Sequence, residues 1–196
     1  MSANTVIHRI VRPAVRAIAP TGVTPNQITT VRLISGIAAA VALGADAGTW
    51  QAIGGAIFLL SMLLDRADGE LARQTGQSSP AGHRYDLASD CFSNIIAFIG
   101  IGIGQMANLG LLGPLLGVVA GGAVGTLFWQ LHILQIGNLR GYEMARGVLI
   151  DPDDLLVLVP VLIWIGAAVP MLWAAAVITP LAALWLGLTG ARRARA

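Results

Sequence analysis

The sequence predicts an all-α integral membrane protein, with six transmembrane helices preceded by an amphipathic helix lying in the membrane interface. Three observations carry that prediction. The 196 residues are 56% hydrophobic and only 11% charged, with a mean hydropathy of +0.74, whereas a soluble domain carries about 25% charged residues. The apolar runs are long: Cys91–Leu139 spans 49 residues without Asp, Glu, Lys or Arg, and Leu155–Ala191 is likewise uncharged. A spanning helix needs about 20 such residues. Finally, the 12 basic residues are all arginines and fall between the apolar runs. Together these exclude a soluble enzyme and a disordered chain. With Cys91 as the single cysteine, they also exclude a disulfide scaffold. The pI is 9.3, but the net charge is only +2. Nucleic-acid binding would gather the cations on one polar face, so membrane lipids, not nucleic acid, are the expected partner.

The elements follow in chain order. In Val6–Ala19 the apolar residues Val6, Ile7, Ile10, Val11, Ala14, Val15 and Ile18 recur at helical spacing, with Arg9, Arg12 and Arg16 between them. This is the pattern of an interfacial amphipathic helix; it is too interrupted for a secretory signal peptide. Residues 1–22 are therefore read as a juxtamembrane segment and 23–196 as the six-helix domain. The spans fall at about 25–44, 49–73, 84–106, 112–137, 154–168 and 171–189. Thr24-Pro25-Asn26-Gln27 opens the first as a capping box with Pro at the first helical position. Asp46, between Gly44 and Gly48, separates the first two spans, Asn108–Pro114 the third from the fourth, and Ala168–Pro170 the last two. Asp151, Asp153 and Asp154 read as the start of the fifth, where the helix dipole favours acids. The 24 glycines suit close packing of membrane helices.

The arginines set the orientation. Arg9, Arg12 and Arg16 precede the first span, Arg66, Arg73 and Arg84 flank the second connection, Arg140 and Arg146 lie in the fourth, and Arg192, Arg193 and Arg195 follow the last. All of these fall on one side, so both termini are expected in the cytoplasm. Arg32 is the exception. An arginine inside a span either faces a polar cavity or partner or snorkels to the interface.

The chemistry concentrates in Asp65–Asp90. Asp65 and Asp68 are three apart and Asp86 and Asp90 four apart, so each pair shares a helix face. The stretch Gln74–His83 reads as the connection that brings the two faces together. Four converging carboxylates need counter-charge, and hard oxygen donors suit two divalent ions, Mg²⁺ or Mn²⁺. Such a pair can clamp a phosphoryl group during in-line displacement. Gly69 leaves room beside the helix for a ligand, and Arg73, one turn on, can meet a phosphate.

Asp65, Asp68, Gly69, Ala72, Arg73, Gly82, Asp86 and Asp90 fit the pattern D-x2-D-G-x2-A-R-x8-G-x3-D-x3-D at every position. With each residue type used at roughly one in twenty, a chance match at a given start is on the order of 10⁻¹⁰. In this pattern the chain resembles the CDP-alcohol phosphotransferases. The resemblance extends to the six-helix layout, the amphipathic N-terminal helix and Pro25-Asn26-Gln27-Ile28-Thr29. It implies transfer of a substituted phosphoryl group from a CDP-linked donor to an alcohol, with release of CMP, at a cytoplasmic-facing cavity. By that resemblance Asp65, Asp68, Asp86 and Asp90 hold the two ions, and Asp90 also serves as general base. Gly69, Ala72, Arg73, Gly82, Asn26 and Thr29 surround the CDP group. Arg32, Arg84, Arg140 and Arg146 are candidates for an acceptor phosphate; His83 and His132 are weaker. The Asp-Gly-Glu-x-Ala-Arg form, with Glu70, resembles members acting on inositol phosphates and related polar acceptors.

The expected donor is CDP-diacylglycerol and the acceptor a small polar alcohol or alcohol phosphate, giving a phospholipid. A variant within the class uses a soluble CDP-alcohol and a lipid acceptor. The resemblance also implies a homodimer, expected in a bacterial-type inner (plasma) membrane. A small transporter or channel would also place carboxylates and an arginine within the membrane, but here the motif aspartates gather at one face. A silent scaffold leaves the complete motif without a purpose.

Overall fold

The computed structural model describes residues 6–134, 142–145, 148–150 and 152–193. Helix α1 is Val6–Ile18, α2 Pro25–Ala45, α3 Thr49–Thr75, α4 Pro80–Gly104, α5 Met106–Leu109, α6 Leu112–Phe128, α7 Leu158–Trp164 and α8 Ala168–Arg193. A π-helical turn, Trp129–Ile133, prolongs α6, and a 3₁₀ turn, Pro152–Val157, leads into α7. Besides helices, the described residues hold one short antiparallel pair, Tyr142–Ala145 with Val148–Ile150. Each of the six predicted spans corresponds to a helix.

Among the described residues, four helical stretches are long and apolar enough to cross a membrane: Pro25–Ala45, Pro80–Gly104, Leu112–Ile133 and Ala168–Gly190. The other two predicted spans fall short for different reasons. Helix α3 has 27 residues, about 40 Å at 1.5 Å per residue, but its last turns carry Asp65, Arg66, Asp68, Glu70 and Arg73. The apolar stretch Leu155–Trp164 reaches only about half of a hydrocarbon core roughly 30 Å thick.

Local signals explain the boundaries. The capping box at α2 forms: the Gln27 amide donates to Thr24 Oγ1 at 3.4 Å and the Thr24 amide to Gln27 Oε1 at 2.9 Å. Helix α3 ends at Gly76, in the left-handed region at φ 67°. Helix α4 begins at Pro80, because Ser79 caps it by accepting from the Gly82 amide at 3.0 Å. The connection between α3 and α4 is therefore much shorter than the predicted Gln74–His83. Ser79-Pro80 is the same cap-then-proline signal as Thr24-Pro25.

Helix α2 packs along both α3 and α4, which themselves touch only slightly; α4 packs on α6, α6 on α8, α3 on α7 and α1 on α3. The main core gathers Ala39, Leu43, Phe58, Phe98, Ile101 and Leu172 around the middle of the bundle. Glycines bring the backbones together there. A Cβ on Gly117 of α6 would lie 2.6 Å from the Phe98 carbonyl of α4, the close approach expected where membrane helices associate through small residues. Higher up, Gly36 of α2 fits between Ser93 of α4 and Ser61 of α3; a Cβ there would lie 2.5 Å from Ser93 Oγ. A second, smaller core joins α1 to the rest: Val15 and Leu71 are fully buried together with Ile28.

Candidate active site

The start of α2, the end of α3 and the start of α4 meet at one end of the bundle, and each contributes polar side chains to the junction. The central group is Arg32 of α2, whose side chain is 3% exposed. Its Nη2 donates to Asp90 Oδ1 at 2.5 Å, its Nε lies 3.4 Å from Asp65 Oδ1 and its Nη1 3.7 Å from Asp86 Oδ1. The two predicted carboxylate faces thus meet through α2, which lies between the helices that bear them, and not directly across the α3–α4 connection. Ser35 and Ser61 both donate to the Arg32 carbonyl, at 2.8 and 3.0 Å. Asn94, one turn beyond Asp90, donates from Nδ2 to the same Asp90 Oδ1 at 2.9 Å. The fourth motif carboxylate, Asp68, accepts from Thr29 Oγ1 at 2.7 Å.

Beside this cluster opens a cavity of about 330 Å³. Asn26, Thr29, Gly69, Ala72, Arg73 and Gly82, the six residues expected around the nucleotide, all line it, together with Asp68 and Asp86. Gly69 leaves open space towards it: the nearest atom to a Cβ there would be Arg73 Nη1, at 3.6 Å. At Gly82 a Cβ would crowd Asn26 Oδ1 at 3.0 Å, so the glycine lets α4 approach the start of α2.

Arg32 pairs with three of the four carboxylates and Arg66 approaches one of them, so the cluster carries an excess of negative charge. Asp65 Oδ1 and Asp86 Oδ1 are buried without a hydrogen-bond partner, although Arg32 lies near both as an ion-pair partner. Buried anionic oxygens left in this way are costly, and they are hard donors of the kind Mg²⁺ or Mn²⁺ takes. Among the described residues no three His, Cys, Asp or Glu side chains close around one point as they stand. The donor chemistry and the charge excess fit divalent ions, which Asp65, Asp68, Asp86 and Asp90 would hold; Arg32 stands among these carboxylates.

Of the residues expected at an acceptor, Arg32 is engaged by the carboxylates, and Arg84 is exposed on α4 and does not line the cavity. Arg140 and Arg146 lie outside the described residues. His83 lines the cavity, while His132 stacks on Phe128 with ring centroids 4.2 Å apart. Sequence reasoning missed two participants. Arg66, assigned to a membrane flank, is 4% exposed and lies 3.9 Å from Asp65 Oδ2. Asn94 carried a signal in its spacing, one helical turn from Asp90.

Comparison with known proteins bears on the family and the fold. The chain is 34% identical over 86 residues to a bifunctional IPC transferase and DIPP synthase of Rubrobacter xylanophilus; the match covers 44% of this chain and 20% of that protein. The chain thus spans about a fifth of that relative's length. The fold is similar to Mycobacterium tuberculosis phosphatidylinositol phosphate synthase crystallised with CDP-DAG bound. The TM-score is 0.67 at 20% identity, over 91% of this chain and 93% of that one. The apo form of that synthase gives 0.64 at 19% identity, covering 90% and 95%. The profile that describes CDP-alcohol phosphatidyltransferases matches residues 22–179, which takes in the aspartate cluster, the cavity and the helices that build them. The chain belongs to the CDP-alcohol phosphatidyltransferase family.

Proposed function

We propose that the protein transfers a phosphatidyl group from CDP-diacylglycerol to a small polar alcohol or alcohol phosphate, releasing CMP. The observation that carries this reading is a cavity lined by Asn26, Thr29, Gly69, Ala72, Arg73 and Gly82 and bordered by the Asp65–Asp68–Asp86–Asp90 cluster. The family relationship narrows the chemistry to phosphoryl transfer from a CDP-alcohol.

In this reading the CDP end of the donor enters the cavity. Gly69 and Gly82 let the nucleotide pack against helix backbone, and Arg73 meets the diphosphate as a charge-assisted hydrogen-bond donor. The acceptor hydroxyl lies against Asp90. Its oxygen bonds to the phosphatidyl phosphorus as the bond from that phosphorus to the CMP oxygen breaks, and the Asp90 carboxylate takes the hydroxyl proton. Arg32 and Asn94 hold that carboxylate in one orientation. Two divalent ions, held by Asp65, Asp68, Asp86 and Asp90, supply neutralisation of the diphosphate and of the departing CMP when bound. The acyl chains remain in the bilayer, and the gathering of arginines on one side of the spans supports a cytoplasmic position for the cavity. Helix α1 then lies along that membrane surface.

The test is CMP release by the purified protein in mixed micelles of CDP-diacylglycerol with Mg²⁺. The acceptor panel is glycerol 3-phosphate, inositol, inositol 1-phosphate, serine and none. Release that depends on one acceptor and stops with EDTA is the expected result. Release with no acceptor in the panel, or only from a soluble CDP-alcohol, overturns the choice of donor and acceptor. Failure of the protein to bind CDP overturns the reading of the cavity.

A further inference from the structure

Glu70 belongs to no fixed position of the aspartate motif, yet it is only 7% exposed and its carboxylate is fully engaged. Oε2 accepts from Arg73 Nη2 at 2.9 Å, while Oε1 accepts from Gln74 Nε2 at 3.0 Å and from Arg12 Nε at 3.2 Å. Arg73 and Gln74 lie three and four residues ahead on the same helix, which brings them to one face. Arg12 comes from α1, 58 residues away. Two arginines from different elements therefore share one buried carboxylate. Only one of them, Arg73, lines the cavity, where its second guanidinium nitrogen lies alongside Gly69.

We propose that Glu70 is a positioning residue for the donor site, and that the N-terminal helix belongs to that site through the chain Arg12–Glu70–Arg73. The inference rests on the reading that the cavity takes the CDP end of the donor. A long arginine side chain that is 42% exposed has many conformations open to it. Pairing with Glu70 selects the one that lays the guanidinium over Gly69, so less ordering is left for the ligand to impose. Arg12 has a different part. A carboxylate bound to Arg73 alone would cancel its charge towards a diphosphate. Sharing Glu70 with Arg12 leaves Arg73 a net pull on the anion. Helix α1 is docked well enough to hold Arg12 in place, because Val15 is fully buried against the core residues Leu71 and Ile28.

The experiment measures the affinity for CDP by calorimetry, and KM for the donor separately from kcat. The proteins are wild type, Glu70→Gln, Arg12→Ala, Arg12→Lys and the double variant Arg12→Ala/Glu70→Gln. Glu70→Gln should weaken CDP binding and raise donor KM about tenfold, the change that accompanies loss of one charge-assisted contact, with kcat within about twofold. Arg12→Ala should act in the same direction by roughly threefold, Arg12→Lys should recover much of that, and the double variant should be no worse than Glu70→Gln alone. Lowered thermal stability with unchanged CDP affinity and KM overturns the proposal and leaves a purely structural ion pair. Additive effects in the double variant overturn the shared chain. Arg12 variants, at a side chain 33% exposed, keep the test open should Glu70→Gln fail to fold. A wild-type protein that turns over but gains nothing from either pairing sinks this inference alone; one that binds no CDP sinks the reading beneath it.

Discussion

Removing the cation at the centre of the cluster gives the sharpest test of how the site is balanced. In Arg32→Gln the side chain keeps much of its length but loses its charge. Three carboxylates, at 2.5, 3.4 and 3.7 Å from guanidinium nitrogens, then face one another without their shared central cation, leaving Arg66 near Asp65. Each pair at such distances is worth about 4–7 kcal/mol gross at an effective dielectric of about 20. Desolvation of the ions offsets most of that sum. The net cost of removing one partner from a buried ion cluster is about 3–5 kcal/mol. Unfolding in detergent with EDTA present should show a loss of that size. Adding millimolar Mg²⁺ should return a large part of it, because a divalent cation can take over the vacated charge, and a ligand that binds only the folded state stabilises by mass action. Equal losses with and without Mg²⁺ would refute the idea that the carboxylates can exchange one cation for another. Arg32→Gln as stable as wild type in EDTA would refute the larger claim that the guanidinium holds the cluster together.

Other substitutions test the remaining contacts. Asp90→Asn keeps the shape that meets Arg32 and Asn94 but removes the proton acceptor; CMP release should fall by about 10²–10⁴-fold while the protein stays folded, and retained turnover would exclude Asp90 as base. Thr29→Val deletes the 2.7 Å bond to Asp68 and should cost about 1.5–3 kcal/mol, as for a hydrogen bond to a charged group; unchanged unfolding would show the bond to be dispensable. Gly117→Ala forces a methyl to within 2.6 Å of a backbone oxygen, which cannot rotate away, so a destabilisation of about 1–3 kcal/mol is expected. A variant with the wild-type melting profile would mean that the α4–α6 crossing is looser than described.

Much of this architecture is written locally in the sequence. Uncharged runs mark the helices, Thr24-Pro25 marks the start of α2, and the spacing of Asp65, Asp68, Asp86 and Asp90 places each pair on one face. The six residues assigned to the nucleotide by family pattern do come together around one cavity. What was not legible depends on pairs far apart in the chain. No period along α2 announces that Arg32 will stand between Asp65 and Asp90, because the choice is made by how three helices pack. The bond from Arg12 to Glu70 joins elements whose periodicities are independent. Arg66 illustrates the reverse case: its position beside an apolar run suits a membrane flank, but its rotation about α3 turns it inward. The early start of α4 was legible in Ser79-Pro80, a signal outweighed by the polar residues around it.

Gly36 lies one turn beyond Arg32, wedged between Ser61 and Ser93. The carboxylates themselves belong to the two helices on either side of it. The calibre of the site is thus gauged by missing atoms: a hydrogen where other residues carry a methyl acts as the thinnest possible shim between α2 and its neighbours. Any side chain at position 36 thickens that shim and spreads Asp65 and Asp68 from Asp86 and Asp90. A residue with no functional group therefore helps set how far apart the two aspartate pairs stand.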